Sequence, residues 1–90
     1  MTEEERYWLA IFGINKNGPL DIEMTKDLKH SVSKQKEQKR KLFYFEIINH
    51  SQAALLRENQ IKSWKKSWQS RLIRNANPEW KELEPFDIIH

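Results

Sequence analysis

The sequence predicts an α+β domain: a three-stranded, mostly antiparallel sheet with flanking helices, in the order β-β-α-β-α-α. Three observations predict it. Two short apolar and aromatic runs, YWLAIFGI and KLFYFEII, read as strands buried on both faces. A segment that alternates in polarity follows the first run across a turn. A long stretch free of Gly and Pro, with apolar residues three and four apart, fills much of the second half.

Taken in order, Tyr7 to Ile14 is the first strand, and Asn15-Lys16-Asn17-Gly18-Pro19 is a turn in which Asn and Gly supply positive φ. Leu20, Ile22 and Met24 then share one face of a half-buried strand, with Asp21, Glu23 and Thr25 on the other. Lys26 to about Arg40 reads as a weakly amphipathic helix on Leu28 and Val32, capped by Thr25. Lys41 to Ile48 is the third strand, and Asn49-His50-Ser51 is a turn with capping residues. Gln52 to about Asn75 is helical, as two helices or one bent one. Its apolar stripe runs Ala54, Ile61, Trp64, Trp68 and Leu72. Pro78 ends it, Trp80 packs the chain back, and Pro85 opens a short tail.

Ninety residues suit one domain, 1–90, with short polar tails at 1–6 and 85–90. Such a chain buries roughly 60–65 % of its extended surface, so the four Trp matter to a thin core. Leu, Ile, Val and Phe supply 22 residues, enough to escape the composition of disordered chains. The absence of cysteine excludes a disulfide scaffold, a thiolate metal site and a cysteine nucleophile. No apolar run approaches the roughly 20 residues of a membrane span, and Met1 to Arg6 is too acidic for a signal peptide. The expectation is a soluble, cytoplasmic protein without a membrane partner.

The formal charge of +3 hides an uneven distribution. Residues 1–25 carry two basic and five acidic side chains, a balance of −3. Residues 26–81 carry fourteen basic and five acidic, a balance of +9, and the last nine residues return to −3. A basic body of this kind neutralises several phosphates at once, the dominant contribution to nucleic-acid affinity. Lys34, Lys36, Lys39, Arg40 and Lys41, with Lys62, Lys65, Lys66, Arg71 and Arg74, are the candidate phosphate contacts. Trp64 and Trp68, four apart on the stripe, read as core rather than as a base-stacking pair. Glu58 lies on or beside the apolar face, where a carboxylate needs a partner, a proton or a cation. His30, His50 and His90 have neither metal-ligand spacing nor an orienting partner. No phosphate-binding glycine loop or nucleophile elbow is present.

The stretch AALLRENQIKSWKKSWQSRLIRNANPEWKELE resembles the carboxy-terminal half of the small stand-alone bacterial GIY-YIG proteins. It matches their R-E-x-Q-I-K core, W-K-x-x-W step and N-P-E-W ending. Lys41-Leu42-Phe43-Tyr44-Phe45-Glu46 resembles the family's K-L-V-Y-Y-E strand, and Asn17-Gly18 with Thr25-x-Asp27-Leu28-Lys29 its N-G turn and helix start. The resemblance spans about residues 7–84 and implies a nuclease superfamily that cuts phosphodiesters with one divalent metal, a glutamate, two tyrosines and an arginine. A hard cation polarises the phosphate, a tyrosine positions the attacking water, and an arginine meets the transition-state charge.

Carried over residue by residue, the glutamate is Glu58, which the resemblance makes a ligand for Mg²⁺ or Mn²⁺. The first tyrosine position falls on Ala10, and the Y-I-G motif reads Asp21-Ile22-Glu23. The helix arginine falls on Ser31, and a histidine position on Gln35. The connection from helix to third strand is shorter than the family's. Losing one charge-stabilising donor costs about 10²–10³ in rate, and here the water-positioning groups are missing too. The expectation is therefore a degenerate, catalytically inactive endonuclease-like protein that binds nucleic acid, DNA in particular. Two alternatives stay open: a protein–protein interaction domain, and an active metal-dependent DNA endonuclease with relocated residues. In a further variant Asp21, Glu23 and Glu58 converge as a new oxygen-ligand site, set against a solvated strand edge.

Overall fold

Tyr7–Gly13 (β1) is apolar on both faces because it is the central strand, and each face is covered by helix. The computed structural model describes residues 6–85. The elements are β1, Leu20–Thr25 (β2), Leu28–Glu37 (α1), Lys41–Ile48 (β3), Ser51–Ser63 (α2) and Lys66–Ala76 (α3). The sheet has the order β2-β1-β3 and is antiparallel throughout. The expected α+β class and element order are both present. The expected tails lie largely outside the described residues; within them, Leu83 N–H bonds to the Leu42 carbonyl at 2.9 Å and Pro85 is buried.

Strand alternation divides the core in two. Trp8, Ala10 and Phe12 of β1 meet Leu28 and Val32 of α1 on one face, together with Leu42. Leu9 and Ile11 meet Ile22, Phe43, Ile61 of α2 and Ile73 of α3 on the other. A register shift opposite Ile11 and Phe12 leaves Phe43 without a partner on β1, and Phe43 and Tyr44 both pack on the α2/α3 side. Gly13 is required by close approach: a Cβ there would sit 3.1 Å from Leu20 Cδ2 and 3.3 Å from both Phe43 Cε2 and the Pro19 carbonyl oxygen.

Local details correct four expectations. The β1–β2 turn uses no positive φ; Asn15 closes it instead, its side chain accepting from Asn17 N–H at 2.8 Å and its carbonyl from Gly18 N–H at 3.3 Å. The cap of α1 is Asp27, which accepts from His30 N–H at 3.1 Å, while Thr25 Oγ1 accepts from Asp27 N–H. α1 is correspondingly shorter than expected and stops at a Schellman turn. Lys39 adopts φ 61°, Lys39 N–H bonds to the Lys36 carbonyl, and Arg40 N–H bonds to the Gln35 carbonyl. No side chain caps α2, whose first residue is Ser51.

The long helical segment is two helices, separated by Trp64 and Lys65 in extended conformation. Neither Gly nor Pro causes the break. Side chains reinforce the end of α2: Ser63 Oγ donates to Gln60 O at 2.7 Å, and Gln69 Nε2 donates at 2.8 Å to Ile61 O, which also accepts from Trp64 N–H. The break also resets the helical phase. α3 buries Gln69 and Ile73, and Trp68 is turned outward at 58 % exposure rather than lying in the core.

Candidate nucleic-acid interface

α3 carries Lys66, Arg71 and Arg74 and no carboxylate. With Gln69 and Ile73 directed inward, a 3.6-residue period sends Ser67, Trp68, Arg71 and Arg74 to the outer face. Lys66 Nζ donates to the Asn17 carbonyl at 2.9 Å and ties the β1–β2 turn to this helix. Two adjoining recesses result, of about 320 and 370 Å³, which share Ser67 and Arg74. The first is completed by Trp68 and Arg71, the second by Lys16, Asn17, Ser70 and Trp80. No described residue pairs with Arg71, Arg74 or Lys16, which stand together on a concave frame.

Behind Trp68 lies a fixed support. Trp64 is half-buried against the core, its ring 6.3 Å from that of Trp68 and tilted by 52°. Arg57 sits 5.5 Å over Trp64 and is itself held by Glu46, through Nε at 3.0 Å and Nη2 at 2.8 Å. Tyr44 donates to the same carboxylate at 2.6 Å. Burial pushes the Tyr44 phenol well above its ordinary range, and donation to Glu46 adds to this. Burial opposes ionisation of Glu46, but the Arg57 and Tyr44 bonds outweigh it and hold the carboxyl below 4.5. The bond to Glu46 likewise raises Arg57, so the pair stays charged.

The ten candidate cations do not form one patch. Lys34, Lys36, Lys39, Arg40 and Lys41 belong to α1, the turn after it and the start of β3; Lys62, Lys65, Lys66, Arg71 and Arg74 belong to α2, α3 and their junction. α1 and α3 cover opposite faces of the sheet. Lys36 faces Glu82 and Glu84, Arg40 faces Asp21, and Lys62 is 2.9 Å from Glu58. Lys34, Lys39, Lys41, Lys65, Arg71 and Arg74 have no partner among the described residues. Lys16 and Asn17 were missed as candidates, because a turn's contact with a helix 49 residues away has no local signal in the sequence.

The acidic residues do not converge. Ile22 points to the α2/α3 side, so alternation sends Asp21 and Glu23 to the α1 side. There Gln35 Nε2 donates to Asp21 at 2.7 Å and approaches Glu23 at 3.5 Å. Glu58 stands on α2, largely covered and paired with Lys62. Among the described residues no three His, Asp or Glu side chains are grouped to hold a metal. The three-acid site is therefore not formed, and the one carboxylate that the resemblance asks of Glu58 is engaged by Lys62. Ala10 and Ser31, the other motif positions, are sealed: Ala10 is 0 % and Ser31 5 % exposed. Of the histidines, His30 and His50 are exposed and His90 lies outside the described residues. No described helix is long and apolar enough to cross a membrane. Comparison with family models, curated proteins and solved structures returns no match for this chain.

Proposed function

We propose that the protein is a DNA-binding module of GIY-YIG-like descent, which holds phosphates on the outer face of α3 without cleaving them. The observation that carries the reading is the recess pair on α3, where Arg71, Arg74 and Lys16 converge with no carboxylate opposing them among the described residues. Cations of this kind bind phosphate by releasing condensed counterions. The proposed loss of cleavage is supported by Ala10, Asp21 and Ser31, which offer neither phenol nor guanidinium where the resemblance requires them.

Fluorescence anisotropy with labelled nicked, branched and single-stranded DNA tests this directly. Binding is expected at low salt, with log K falling linearly against log salt. No binding at low salt, or no salt response, overturns the reading. Incubation with Mg²⁺ or Mn²⁺ is expected to leave the DNA intact; cleavage that Glu58→Ala abolishes would install the endonuclease reading instead. A protein-contact reading has one observation in its favour. Leu55 and Leu56 stand side by side on α2 at 57 % and 69 % exposure.

A further inference from the structure

We infer that Trp68 is a stacking platform for an unpaired base, so that α3 takes single-stranded DNA in preference to a duplex. This rests on the DNA binding proposed above and goes further, naming the form of the nucleic acid and the residue that reads it.

An indole at 58 % exposure leaves a large apolar ring in water. The 52° tilt against Trp64 means the two rings are not stacked face to face, so Trp64 supports Trp68 without occupying its faces. Trp64 in turn lies under Arg57, which two bonds hold to Glu46. Trp64, Lys65 and Trp68 also line an open recess of about 400 Å³ beside the ring. A platform already held in place loses little entropy when a base settles on it.

The cations are spaced for a strand. Arg71 and Arg74 follow Trp68 at three and six residues on the same helix face. Six residues advance about 9 Å along the axis. A strand that lays a base on Trp68 and runs along α3 therefore brings its following phosphates past Arg71 and Arg74. Ser67 adds a hydroxyl to both recesses, and among the described residues no carboxylate lines either one. A duplex hides its base faces in the stack, whereas a single strand exposes them. Thymine is the best occupant of the apolar recess, since its methyl group adds contact with the two indoles; this favours DNA over RNA.

The test titrates the whole protein with short oligothymidylate, following indole fluorescence, and with a duplex of the same length, following anisotropy. Wild type is expected to bind the single strand more tightly and with quenching. Trp68→Leu should weaken single-strand binding about 5- to 150-fold and duplex binding far less, with Trp68→Phe recovering part of the single-strand loss. If single-strand affinity is the same in Trp68→Leu while DNA still binds in a salt-dependent way, the inference fails and the proposed function stands. If neither form of DNA binds at low salt, both fail. Self-association lost in Trp68→Leu would then mark the face as a contact between copies of the protein. Oligouridylate bound as tightly, with the same Trp68 dependence, overturns the assignment to DNA.

Discussion

Arg57 joins the sheet to the proposed binding face: one side of its guanidinium engages Glu46 on β3, the other covers Trp64. Arg57→Ala leaves a partly buried carboxylate without its counter-charge, with Tyr44 as its remaining donor, and a loss of about 2 kcal/mol is expected in urea unfolding. The pH dependence follows from the direction of each shift. Glu46 is held below 4.5 in the folded protein, so its contribution is complete above that pH and is lost as pH falls through the lowered value. Tyr44 is raised above 10.0, so its contribution is complete below that pH and is lost as pH rises beyond it. Glu46→Gln should flatten the acid limb of stability against pH; an unaltered limb would remove this pair as its cause. Asn77 is a second buried anchor, donating to the Phe43 and Lys81 carbonyls and accepting from Lys81 N–H. Asn77→Ala should cost about 1–3 kcal/mol, read the same way.

Among the elements, helix ends decide what local sequence could not. α1 closes on Lys39 at φ 61°, a conformation that glycine adopts without penalty. Lys39→Gly is expected to stabilise the protein by about 1 kcal/mol, and Asp27→Ala to destabilise it by about 0.5–2 kcal/mol, both measured by thermal or urea unfolding. The strands were legible because β1 and β3 are saturated with apolar side chains and β2 alternates cleanly. The cap was placed two residues early because Thr25 and Asp27 both carry capping chemistry, and only the geometry chooses between them. Trp68 was misplaced for a different reason. A stripe counted through Trp64 and Lys65 assumes one continuous helix, and no Gly or Pro announces the break. Gln69, an unpromising core residue by composition, is buried with its amide satisfied by the Ile61 carbonyl across the break.

Over the whole molecule, the basic body read from the sequence resolves into two unlike faces. On the α1 side, Asp21, Glu82 and Glu84 answer Arg40 and Lys36, while Lys34, Lys39 and Lys41 stand apart without a partner among the described residues. On the α3 side, Arg71, Arg74 and Lys16 have no partner among the described residues and line two adjoining recesses. Sequence counted these cations but could not sort them, because the sorting depends on which face of the sheet each helix covers. The salt dependence of single-strand binding, compared between Arg71→Gln/Arg74→Gln and Lys34→Gln/Lys39→Gln, tests that division most directly. Both double variants remove two charges. With two phosphates no longer neutralised, the α3 pair should reduce the slope of log K against log salt by about 1.4 in magnitude, while the α1 pair leaves it nearly unchanged. Equal reductions from both pairs, or a larger one from the α1 pair, would contradict the placement of DNA on α3.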